Sequence, residues 1–255
     1  VEDLVSLIAV YALTTIRFVG LVFVAPALSA PSMPLPFRFW IAAILALIAT
    51  PAGAALPVEA LSHWMGLAAA AGRELLIGAA IGFFSALPLY ALQMSGFLEG
   101  MQVGLSMATL FDPMSEAQVS LIGQFKYLVG VWFFYRWNGH LLLVQGLSES
   151  LRLIPLAGTG HLGTAPDLAG WIAEAFVLSM RLSLPILATL LLADVGLGFV
   201  ARTVPQMNVF VLGLPLKFVL GFFLLIAVLP MAVDLLHAGI EPGLEAAMRI
   251  AAWWR

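Results

Sequence analysis

The chain has 255 residues, 62% hydrophobic and only 10% charged, with mean hydropathy +1.06 and formal net charge −3. Soluble domains average about 25% charged residues, so this is a membrane-class composition, and the charge excludes the basic footprint of a nucleic-acid binder. Cysteine is absent, which removes disulfides and thiolate chemistry, and His63, His140, His161 and His237 lack metal-ligand spacing.

No basic region precedes Leu4, and Arg17 interrupts the first apolar run, which argues against a cleaved signal. A first helix is expected over 4–28 and is expected to be retained. The Pro-rich stretch Pro26 to Pro36 ends it as an ordered loop. A second helix is expected over about 37–56, with Arg38 near its start. A polar patch from Pro57 to His63 then leads into an apolar run from Trp64 to about Leu98. That run exceeds the roughly 20 residues a single span needs, and Pro88 lies inside it. Gly78, Gly82 and Ala86, then Gly96, Gly100 and Gly104, form two small-residue ridges at four-residue spacing. Such ridges allow close helix–helix approach, either within the chain or at a subunit interface.

Hydropathy gives about six spans, but the charges within them make that count suspect. They are Arg17, Arg73, Glu74, Glu99, Lys126, Arg136, Arg181, Asp194 and Lys217. Each costs about 2.5–3.5 kcal/mol in an apolar span, so protein or water must meet it. Glu99, Lys126, Arg181 and Asp194 are the candidates for buried charge in helix packing. The helices either line a polar cavity or pack in a large assembly.

Residues 104–120, GLSMATLFDPMSEAQVS, mix bulky apolar and polar groups. Met107, Leu110, Phe111 and Met114 make either an adaptable seal, since methionine conforms to variable shapes, or a loop folded back on its own helices. Helices are expected over about 119–136 and to about Ser148, around the turn Arg136 to His140. His140 reads as a turn-capping residue, with proton handling the alternative. After a Gly/Pro-rich loop at 149–168, a helix is expected over 169–203.

Two breaks then interrupt the apolar stretch from Asp194 to Leu225. Arg202 to Asn208 contains Pro205, and Gly213 to Lys217 contains Pro215. Two prolines ten residues apart predict that one helix ends, a short piece turns, and another begins at about 216. Backbone freed there must be buried in protein or line a wet cavity, or the segment is a hairpin tip at the membrane surface. A last run to 236 and a short amphipathic tail at 240–255, with Trp253 and Trp254, complete the chain. No catalytic or nucleotide-binding motif is present, so the chain is read as a non-enzyme without cofactor. Physics alone reaches an all-α, polytopic, membrane-associated channel, transporter or assembly subunit.

Three blocks in order carry a resemblance. They are Gln102 to Pro113; Asn138-Gly139-His140-Leu141; and Asp194, Gly198, Arg202, Pro205 to Phe210 and Gly213 to Lys217. They resemble the FliR family of flagellar export-gate proteins, which includes the T-class components of injectisomes. The resemblance implies a FliP-like part, residues 1–168, joined to a FliQ-like part, residues 169–255. It implies a plug formed by loop 104–118 with Met107, Leu110, Phe111 and Met114. It also implies a hairpin tip that makes assembly contacts through Arg202, Pro205, Gln206, Asn208, Gly213, Pro215 and Lys217. Implied partners are FliP-like and FliQ-like subunits, FlhB-like and FlhA-like apparatus proteins, and unfolded flagellar substrates. The implied location is the bacterial inner membrane, at the flagellar basal body. Rival readings are an injectisome export subunit and, more distantly, a stand-alone secondary transporter.

Overall fold

Long apolar runs without period-two alternation leave the backbone one way to satisfy its own hydrogen bonds, and the chain takes it. The computed structural model describes residues 2–25, 28–29, 33–50, 64–105, 120–156, 168–204, 206 and 208–253. Among them are seven helices and no strand: α1 (Glu2–Val24), α2 (Leu35–Ala49), α3 (Trp64–Val103), α4 (Leu121–Arg136), α5 (Gly139–Leu153), α6 (Leu168–Thr203) and α7 (Val209–Trp253). Four helical stretches are long and apolar enough to cross a membrane: Leu4–Val24, Trp64–Val103, Leu168–Thr203 and Val211–Ile240. Four replaces the six expected from hydropathy, because α2 and the short α4–α5 pair do not reach spanning length.

The chain forms two compact units, Val1–Leu87 with Phe134–Trp171 and Ile240–Arg255, and Pro88–Phe133 with Ile172–Gly239. In the first, α1 and α3 cross at their glycines. A side chain on Gly20 would strike the α3 backbone at Leu75 and Ala79, and one on Gly78 would strike the Arg17 carbonyl. Lipid tails are as apolar as the side chains, so dense packing at such crossings holds the pair. Phe18, Leu21, Ile77 and Ile81 are fully buried. Tyr11 Oη donates to the Ala43 carbonyl at 2.9 Å and ties α2 to α1.

In the second unit, Gly96 of α3 meets the backbone of Gly123 on α4, and Gly100 meets Ser120. Both ridges read from the sequence therefore take part in contacts within the chain. A core of Val103, Ile122, Ile186, Leu190 and Leu225 gathers α3, α4, α6 and α7.

The first predicted break is present: α6 ends at Thr203 and α7 starts at Val209. The second is not. Helix α7 runs through Pro215 and continues without interruption through the expected tail to Trp253. A proline forfeits one bond, to the carbonyl four residues back. Ending the helix there would have freed several backbone groups, which an apolar surrounding cannot satisfy. Pro88 in α3 and Pro185 in α6 are carried in the same way.

Candidate functional site

Three polar stations sit in otherwise apolar helices. In the first unit, Arg17 on α1 is wholly buried, and each of its three nitrogens donates a hydrogen bond. Its Nε donates to Glu74 Oε2 on α3 at 2.5 Å, Nη1 to Ser150 Oγ on α5 at 3.1 Å, and Nη2 to the Ile154 carbonyl at 3.2 Å. A planar guanidinium can serve three acceptors at once, which an ammonium on the same stem does less well. Glu74 Oε1 is buried with no hydrogen-bond partner among the described residues.

In the second unit, Lys126 on α4 donates to Glu99 Oε1 on α3 at 2.7 Å, with both side chains 1% exposed. This pair lies beside the Gly96–Gly123 crossing, where the absence of side chains lets the two backbones come close enough for a short pair. The third station is looser. Asp194 on α6 accepts from Lys217 Nζ on α7 and from Gln102 Nε2 on α3, the latter at 3.1 Å. Lys217 is 19% and Asp194 35% exposed.

Of the four charges expected in packing, Glu99 and Lys126 are thus paired with each other, and Asp194 pairs with Lys217. Arg181 is exposed in the isolated chain. It projects away from the covered stripe of α6, which consists of Ser179, Leu182, Ser183, Ile186 and Leu190. At the turn between α6 and α7, Arg202, Gln206 and Asn208 are exposed. Asn208 caps α7, its Oδ1 accepting from Val211 N at 3.4 Å. Gly213 is buried against Leu197, and Pro215 is exposed. Pro205, Met107, Leu110, Phe111 and Met114 lie outside the described residues.

The Asn138-Gly139-His140 block forms the α4–α5 turn. Asn138 takes the left-handed conformation (φ 58°), and any side chain on Gly139 would enter the Phe134 ring. His140 lies 5.2 Å from the Tyr135 ring, centroid to centroid. Arg17 with Glu74 and Ser150 was not among the residues picked out as a site. Its signal in the sequence was the interruption of the first apolar run, without any indication of the partner.

The helices, their unmatched apolar faces and their paired charges give a membrane-embedded scaffold with a hairpin left largely uncovered: 11% of the apolar window of α6 and 22% of that of α7 are buried. Sequence comparison places residues 8–242 within the family described as bacterial export proteins, family 1. The chain is 34% identical to the flagellar biosynthetic protein FliR of Bacillus subtilis (strain 168) over 230 residues, 88% of each chain. It is 29% identical to the FliR of Escherichia coli (strain K12) over 236 residues, 90% of this chain and 88% of the other. It is also 28% identical to the Yop proteins translocation protein T of Yersinia pestis over 225 residues, 85% of this chain and 84% of the other. With the match running from the second turn of α1 well into α7, the chain belongs to this family of bacterial export proteins.

Proposed function

We propose that this chain is a core subunit of the flagellar type III protein export gate, helping to form and close the pore through which unfolded flagellar subunits leave the cell. The observation that carries the reading is the likeness, over nearly nine-tenths of both chains, to proteins named for flagellar biosynthesis. The uncovered α6–α7 hairpin supports it, since faces this apolar need protein or lipid against them. In this reading residues 1–168 are the FliP-like part and 169–255 the FliQ-like part. FliP-like and FliQ-like subunits cover the hairpin, with Arg202, Pro205, Gln206, Asn208, Gly213, Pro215 and Lys217 at or near its tip in the contact. Arg181 is covered in the assembly too. FlhB-like and FlhA-like proteins complete the apparatus in the inner membrane.

The loop 104–118 is the plug, with Met107, Leu110, Phe111 and Met114 filling the pore and moving aside for a substrate chain. Replacing Met107, Leu110 and Phe111 together by Ala is expected to make the closed gate leak ions and small molecules, measured as conductance or dye entry. A tight triple variant would sink the plug. A mild-detergent pull-down tests the assembly, with FliP-like and FliQ-like proteins expected in one discrete particle. The likeness to a Yop translocation protein favours one second reading, an injectisome gate of the same build. Injectisome subunits in the same pull-down would establish it.

A further inference from the structure

Val177, Leu184, Leu191, Val195 and Phe199 leave the side of α6 turned away from its packed stripe apolar and uncovered. Two charges stand on that same side. Glu174 and Arg181 are both exposed, and neither forms an ion pair among the described residues. Seven residues make nearly two helical turns, so the two charges share one side, about 10 Å apart along the axis. Both lie opposite Leu182, Ile186 and Leu190, which α6 buries within the second unit. Helix α7, with its exposed Asp234, packs on that buried side.

Lipid alone does not cover this surface. Uncovered apolar residues extend along α6 from Ile172 to Phe199, about 40 Å at 1.5 Å per residue. The hydrocarbon core is about 30 Å thick, and the usual helix tilt of about 20° adds only about 2 Å to the path through it. Setting Arg181 at a headgroup layer would leave Ile172, Phe176 and Val177 outside the hydrocarbon. Setting it deeper would strand its charge. A protein surface answers both demands, since it buries the apolar residues and presents an opposite charge. A second copy inserted in the same orientation would bring like charges to one level. We infer that this side of α6 is the contact for a different subunit, one that places a carboxylate against Arg181 and a cation against Glu174. This rests on the reading of the chain as a subunit of an export gate. The apolar residues supply the contact area, and the two charges fix its register. A partner that slid by two turns in either direction would meet a like charge.

The chain holds two lysines, Lys126 and Lys217, each already paired with a carboxylate of the same chain. Arg181→Lys therefore offers a carbodiimide one new amine, and the reagent joins an amine only to a carboxylate in contact with it. In the complete assembly, a membrane-permeant carbodiimide is expected to link position 181 to an Asp or Glu of another subunit, mapped by mass spectrometry of the joined peptides. The unsubstituted chain should give no link there, and Arg181→Lys should co-purify the other subunits as the parent does. Arg181→Glu is expected to lower that co-purification about tenfold or more, and changing the mapped carboxylate to Lys should restore it. Undiminished co-purification of Arg181→Glu overturns the inference, as does an intact Arg181→Lys particle without a link to another subunit. So does a link confined to this chain or joining two copies of it. An unsubstituted chain that co-purifies with no other subunit overturns the export-gate reading and this inference together, whereas a missing link in an intact particle overturns this inference alone.

Discussion

Arg17 and Lys217 are both cations inside long apolar helices, and their surroundings differ in one decisive respect. Arg17 is wholly buried, with three acceptors on α3, α5 and the chain just after α5. Lys217 keeps 19% of its side chain exposed and faces an aspartate that is 35% exposed. Removing one partner of a fully buried pair strands a charge where nothing can solvate it. Removing one partner of a half-exposed pair leaves a group that water or a neighbouring subunit can meet. The first station is therefore a structural staple. The third, with Lys217 and Asp194, is a joint that tolerates change.

That contrast can be broken or sharpened by substitution. Arg17→Met should cost about 3–5 kcal/mol by removing the hydrogen-bonded ion pair of buried Glu74, read from chemical unfolding in mild detergent. Adding Glu74→Leu should recover most of the loss. A single substitution as stable as the parent would remove the staple from the argument. Lys126→Met, which breaks one bond rather than three, should fall at about 3 kcal/mol in the same assay, and Glu99→Leu should again compensate. Asp194→Asn should cost about 1 kcal/mol or less, because solvent screens the pair. Equal losses at Arg17 and Asp194 would erase the distinction between staple and joint.

The sequence was most readable where chemistry is local. The turn after Thr203 was announced by Pro205 among polar residues, and the glycine ridges by their four-residue spacing. It misled at Pro215, because the proline rule is calibrated on helices whose freed carbonyls can turn to water, whereas α7 gains more by staying intact. The tail from 240 misled for a related reason: its amphipathic pattern suggested a separate element, yet nothing there stops α7. Pairings were the least readable. Glu99 and Lys126 were singled out as charges needing partners, but no pattern linked them to each other, since their meeting depends on the crossing of Gly96 with Gly123. Gln102 lay inside a recognised block without any sign of its bond to Asp194. Arg181 shows the converse: hydropathy marks a charge within a run but not the side of the helix it takes.

The Arg17 station also sets a timetable. Glu74 follows Arg17 by 57 residues and Ser150 by 133. At roughly 5–20 residues per second of synthesis, the guanidinium exists for several seconds before its carboxylate is made, and for longer before α5 supplies the hydroxyl. Through that interval Arg17 lacks its folded partners, so water or the lipid headgroups must meet its charge, and its final depth is settled when α3 arrives. A nascent chain stopped between α1 and α3 would thus carry its first helix shallower than the finished protein does.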